Sequence, residues 1–175
     1  MVFLHLFKNP TKKPAYSLYQ RLVDQARSPF FYKDLNIEDS IKGRFELICL
    51  HAFLVLYRLK NHRKLGQSLF DVMFSDIDRS LREIGVGDLS VGKKVKSFAE
   101  IFYGRIECYE KGLKNEKELK HFLHSFLYKS EEISPLNLKK ICTYISHQVI
   151  HLSQISDIML KEGKITFNQE IQSYF

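Results

Sequence analysis

Apolar residues recur along the chain at three- and four-residue steps, the spacing of one face of an α-helix, and no stretch of useful length alternates at the two-residue step of a strand. The clearest stretch runs from Leu69 to Arg105. Phe70, Met73, Phe74, Ile77, Leu81 and Ile84 share one face of a first helix, and Val91, Val95, Phe98, Phe102, Tyr109 and Leu113 share one face of a second. Between them Gly85-Val86-Gly87-Asp88-Leu89-Ser90 carries a stop and then a start. Gly85 suits the left-handed residue after a helix, Gly87 allows a close reversal, and Asp88 or Ser90 can cap the next helix. The pattern predicts a helical hairpin, and Gly104, a costly residue inside its second helix, predicts a close helix crossing at Tyr103-Gly104-Arg105.

The same spacing places the other elements. A helix over Ala15–Arg27 turns Leu18, Leu22, Val23 and Ala26 inward and ends at Ser28-Pro29, because proline disfavours helix in the residue before it. Phe30, Phe31 and Tyr32 follow in what reads as an irregular loop plugging the core. Asn36, with Glu38 and Asp39 in the first turn, opens a helix reaching about Lys60 that is apolar nearly all round, so the other helices should surround it. Asn115 with Glu118 resembles a capping box ahead of Leu119, Phe122, Leu123 and Phe126. Ser134-Pro135 opens a last helix. Its stripe of Leu138, Ile141, Ile145, Leu152, Ile155 and Met159 continues to Gly163, which at ~1.5 Å per residue is one helix close to 40 Å long. The expected architecture is an all-α, single-domain bundle of about six to seven helices around a buried central helix. A basic and apolar arm (1–14) precedes the domain (15–163), and a tail (164–175) follows it.

Composition agrees with that picture. With 175 residues, 45% hydrophobic and 27% charged, the chain can bury a core without staples. Its three cysteines, Cys49, Cys108 and Cys142, are far apart and sit in apolar helical patterns, which reads as buried thiols in a reducing compartment. Met1–Phe7 is too short for a secretory signal, and the most apolar run, Leu47–Leu59, contains His51 and Arg58 and falls short of the ~20 residues a spanning helix needs.

Charge adds candidates for contact. The formal net charge is +7. Lys12 and Lys13 lie in the N-terminal arm, and Arg58, Lys60, Arg63 and Lys64 crowd one interhelical turn; such patches attract the phosphate of lipid or RNA, although a solvated face has the same composition. In the hairpin, Asp76 and Arg79, Asp78 and Arg82, and Arg79 and Glu83 stand three or four apart, where acid and base can meet for about 0.2–0.5 kcal/mol each. That is little stability for so much charge. Lys93, Lys94 and Lys96 crowd the start of the second helix, where the dipole favours anions, so a partner carboxylate is expected there, from Asp88 and Glu83 or from another molecule. Asp76, Asp78, Arg79, Arg82, Glu83, Asp88, Lys93, Lys96, Tyr103 and Arg105 are accordingly the candidate protein-binding residues.

Catalytic constellations are incomplete. His147 and His151 have the four-residue spacing of a zinc-protease helix without its glutamate, and no third ligand is evident, so no metal or cofactor is expected. His121 and His124 are a weaker pair still. Asp71 and Asp78 share a helix face, as in all-α isoprenoid synthases, which leaves a small enzyme or carrier binding a prenyl diphosphate as the alternative function. The second acidic helix that such a site needs is missing. There is no nucleophile motif, phosphate-binding loop or dinucleotide loop.

The combination of these segments nevertheless resembles a known family. Ala26-Arg27-Ser28-Pro29-Phe30-Phe31-Tyr32, Gly43-Arg44-Phe45-Glu46 leading to Leu50-His51, Leu69-Phe70-Asp71, Phe74-Ser75-Asp76-Ile77-Asp78, Leu81-Arg82-Glu83-Ile84-Gly85-Val86-Gly87-Asp88 and Phe102-Tyr103-Gly104-Arg105 are similar, in that order, to the ubiquinol-cytochrome c chaperone family. The likeness covers roughly residues 16 to 113, and a methionine is common in the family where Phe98 stands. The resemblance implies a non-enzymatic assembly factor of the cytochrome bc1 complex whose client is newly made cytochrome b. It also implies a small partner protein and a site near the ribosomal exit tunnel, with no role for DNA. The expected location is the cytoplasm, peripheral to the inner membrane of a bacterium, since no transit peptide is evident, or the matrix side of the mitochondrial inner membrane in a eukaryote.

Overall fold

The computed structural model describes residues 10–128 and 133–169, and among them there is no strand. Helix α1 spans Lys12–Ala26, so the arm expected over residues 1–14 ends at the helix start, and residues 1–9 lie outside the described ones. A short α2 (Pro29–Lys33) follows, where an irregular loop was expected. Pro29 at the first helical position explains the difference, because its fixed φ suits a helix start. Phe30 and Phe31 do plug the core, packing edge-on against each other, with Phe31 also edge-on to Tyr144.

Helix α3 (Ile41–Arg58) begins later than the sequence suggested. Asn36 adopts a left-handed turn at φ 55°, and Ser40 supplies the cap, its hydroxyl accepting from the Gly43 amide. From Glu46 to Val55 the helix is buried on nearly every side, and it packs against α1, α5 (Asp88–Gly112) and α7 (Pro135–Ser153). Helix α4 (Arg63–Glu83) lies against α1 and pairs with α5 as the expected hairpin. Helix α6 (Glu116–Leu123) starts at Asn115, whose side chain accepts from the Lys117 and Glu118 amides, and runs into a π-helical turn at His124–Tyr128.

Three expectations are corrected here. The last helix is not continuous: α7 stops at Ser153, and Ser156 caps a separate α8 (Asp157–Lys161). The freed carbonyls at the break are taken by Arg58, whose Nε and Nη2 donate to Leu152 O at 3.1 Å and Ile155 O at 2.6 Å. Gly104 marks no close crossing, since no atom of the described residues lies within 4 Å of where its Cβ would be; the tight approach within α5 is at Gly112, whose Cβ would stand 3.0 Å from Leu119 of α6. Ile84, placed on the inward stripe, is 69% exposed. In the tail, Ile165 and Phe167 are buried, and residues 170–175 lie outside the described ones.

Candidate partner-binding surfaces

The hairpin turn is built by two backbone hydrogen bonds. The Gly85 amide donates to Arg82 O and the Val86 amide to Leu81 O, both at 3.0 Å, with Gly85 at φ 88°. This closes the exposed end of α4 in the double-bonded pattern that glycine permits. Gly87 then caps α5 through its carbonyl alone. Asp88, instead of capping, turns its carboxylate to Arg82, which also donates through Nε to Asp78 at 2.7 Å. One guanidinium thus ties the last turn of α4 to the first turn of α5, and Asp78 and then Asp88 hold its pKa above the ordinary value.

The remaining charges arrange themselves around that tie. Arg79 pairs with Asp76 and lies 3.7 Å from Glu83. Asp76 also accepts from the Tyr19 hydroxyl of α1 at 2.8 Å; burial, reinforced by this carboxylate, pushes the Tyr19 phenol well above its usual range. Lys96 lies 3.9 Å from Glu100, while among the described residues no carboxylate pairs with Lys93 or Lys94. The structure sorts these residues into two clusters, Asp76–Arg79–Glu83 on the side of α4 that meets Tyr19 and Asp78–Arg82–Asp88 at the hairpin turn, with Lys93 and Lys96 on the adjoining helix.

Further along α5, Tyr103 is 55% exposed and its ring stacks on Phe70 of α4 at 5.4 Å. Phe70 in turn contacts Phe74 and Phe102, so an aromatic surface leads from solvent into the core. Arg105 faces the other way. Its fork donates to both oxygens of Glu46 at 2.6 and 2.7 Å, and its guanidinium lies 3.6 Å from the centre of the Phe126 ring. Glu46 is only 2% exposed; the sequence marks it within the Gly43-Arg44-Phe45-Glu46 motif but not as the partner of Arg105. Two charges 59 positions apart in the sequence carry no local signal of pairing. The other motif residue in α3, His51, is also internal: it hydrogen-bonds Leu47 O and the Tyr144 hydroxyl, which accepts from Gln25.

At the opposite end of α4, a cavity of about 760 Å³ is lined by Lys60, Arg63, Lys64 and Lys161, with no acid among the described residues of its wall. Lys161, from α8, joins the cations expected from sequence; nothing near it in the chain could have shown this. Arg58 does not line it, being held by the two carbonyls and by Asp157 at 2.8 Å. His62 Nε2 also sits 3.2 Å from Asp157, at ion-pair distance though off the line of a hydrogen bond. Arg58 first and His62 second hold the Asp157 carboxyl below its usual range. Lys12 and Lys13 are exposed on the first turn of α1, outside the cavity lining.

The other constellations stay apart. Asp71 accepts from Gln67 at 2.8 Å and Asp78 from Arg82, so both carboxylates of the suggested diphosphate face are held by their own helix. His151 Nε2 lies 3.1 Å from Thr166 Oγ1. Among the described residues no three His, Cys, Asp or Glu side chains form a metal-binding group, and no helix is long and apolar enough to cross a membrane.

Comparison with known proteins bears on these surfaces. The family model described as ubiquinol-cytochrome C chaperone matches residues 33–167. The crystal structure of the Cbp3 homolog from Brucella abortus superposes with a TM-score of 0.81 at 31% identity, covering 97% of both chains. The ubiquinol-cytochrome-c reductase complex assembly factor 1 of Xenopus laevis is 21% identical over 92% of this chain and 84% of its own length. The mitochondrial protein CBP3 of Saccharomyces cerevisiae is 27% identical over 79% of this chain, which spans only 44% of that protein.

Proposed function

The chain belongs to the ubiquinol-cytochrome C chaperone family, and from that premise we propose that it is a non-enzymatic assembly factor of ubiquinol-cytochrome c reductase, the cytochrome bc1 complex, with newly made cytochrome b as its client. The observation that carries this reading is the match over 97% of both chains, at 31% identity, to a Cbp3 homolog with the same fold. What supports a binding role is that the bundle presents charged and aromatic side chains on the outside of α4 and α5, while among the described residues the suggested diphosphate carboxylates Asp71 and Asp78 are each engaged by their own helix. The client surface in this proposal comprises Asp76, Asp78, Arg79, Arg82, Glu83, Asp88, Lys93, Lys96 and Tyr103. Arg105, locked on Glu46, supports that face from inside.

The cation-lined cavity at the far end of α4 suits nucleic-acid phosphate, and in this proposal it faces ribosomal RNA near the exit tunnel. A small partner protein completes the assembly, which sits peripheral to the inner membrane. Affinity-tagged protein is expected to co-purify with cytochrome b, and deletion is expected to remove the heme b signal of the bc1 complex while other membrane complexes persist. A deletion strain with normal bc1 levels would exclude the proposal.

A further inference from the structure

The tip of the α4–α5 hairpin adds Ile84, Leu89 and Lys94, which the client surface does not include, to charged residues already described. Ile84 is 69% exposed and Leu89 is 95% exposed, one on each side of the glycine turn. They lie at the joined ends of two long helices, whereas Leu136, in the first turn of α7, and Ile150, on its flank, are exposed singly. The turn holds them rigidly, through the two backbone bonds at Gly85 and Val86 and the Arg82 tie between helices. Its acids are engaged, Asp88 by Arg82 and Glu83 by Arg79, whereas Lys93 and Lys94, one turn behind Leu89, have no carboxylate partner among the described residues. A protruding aliphatic pair with its acids neutralised and a lysine collar behind it has the chemistry of a bilayer surface: the aliphatics enter the headgroup boundary and the lysines meet anionic lipid.

We infer that the Ile84–Leu89 tip is a membrane contact, specific for anionic bilayers, and that it sets the orientation of the molecule. Helix α4 has 21 residues and is therefore roughly 30 Å long. The basic cavity lies at its other end, so a bilayer touching the tip leaves Lys60, Arg63, Lys64 and Lys161 turned away from it. A charge-only contact would favour the opposite orientation. The inference needs no client, and so does not rest on the identity of cytochrome b.

Flotation of the full chain with vesicles of phosphatidylcholine alone, or with a third phosphatidylglycerol, tests this. Binding is expected to the anionic vesicles, weaker by about tenfold or more on neutral ones or at high salt, since exposed charges are screened. Leu89→Asp with Ile84→Ser is expected to lose at least tenfold in vesicle binding, as is Lys93→Glu with Lys94→Glu, while Arg63→Glu with Lys64→Glu keeps it. Leu89→Ser alone is a milder variant whose melting temperature should match the parent, which separates loss of contact from loss of fold. Vesicle binding abolished by the Arg63/Lys64 reversal but kept by the tip variants would overturn the inference, as would no vesicle binding at all. Leu89→Asp with Ile84→Ser losing vesicle binding while still capturing cytochrome b would support it, since neither residue belongs to the client surface. The same variant keeping vesicle binding and losing capture would make the tip a protein contact instead.

Discussion

Two polar residues inside the bundle decide much about how the chain answers to pH and mutation. His51 is fully buried, and that burial lowers its pKa from 6.5 to about 4. Its Nδ1–H donates to Leu47 O at 2.7 Å, which leaves Nε2 to accept from the Tyr144 hydroxyl at 2.9 Å. The unfolded chain takes up a proton near pH 6.5 that the folded chain refuses until about pH 4, so this stability is complete above the first value and is lost as pH falls through the window. A shift of that size is worth about 3 kcal/mol. Thermal melts from pH 7.5 to 4 are expected to show the decline, and His51→Gln should start lower but run flatter; equal slopes would remove His51 as the cause. Glu46 and Arg105 are coupled more tightly. Arg105→Ala leaves a carboxylate 2% exposed without its partner and is expected to cost about 3 kcal/mol in denaturant unfolding. Glu46→Leu with Arg105→Met should recover most of that loss, because an apolar pair avoids desolvating two charges.

Among the elements, the glycines show how local sequence and packing divide the outcome. Gly85→Ala puts a Cβ on a left-handed residue at φ 88° and should destabilise by about 1 kcal/mol, although the space there is open. Gly104→Ala meets neither strain nor neighbours and should stabilise by about 0.5–1 kcal/mol, because a helix-interior glycine costs that much relative to alanine. Gly112→Ala should give no such gain, as its Cβ would come within 3.0 Å of Leu119. Urea unfolding of the three variants distinguishes these cases. The hairpin, the Asn115 start and the Ser134 start were legible because their signals are local: apolar spacing, a cap residue, a glycine after a helix. The break in the last helix was not. Its apolar stripe continues in register through Ile155, and what stops the helix is a serine cap together with Arg58, 94 to 97 residues away, reaching the freed carbonyls. The same limit hid the Glu46–Arg105 pair and the place of Lys161 in the basic cavity, since each depends on helices meeting in space.

For the whole molecule, the two ends of α4 and the face between them pose separable questions. The charged network lies on the outside of α4 and α5, and its side chains contribute little to the core. Arg82 and Lys96 are both exposed, and the Lys96 contact with Glu100 is long at 3.9 Å. Reversing both, Arg82→Glu with Lys96→Glu, breaks the tie to Asp78 and Asp88 and inverts the field on one face, yet should change stability by no more than about 1 kcal/mol, as surface substitutions do. If that face receives cytochrome b, client capture from membranes should fall to background while the melting temperature stays close to the parent. A matched pair at the far end, Lys60→Glu with Lys64→Glu, should leave capture intact and lower co-sedimentation with ribosomes, with the salt sensitivity that phosphate contacts carry. Loss of folding in the first pair would make its charges structural, and unchanged capture would move the client to another face; the contrast between the two pairs locates the client along α4.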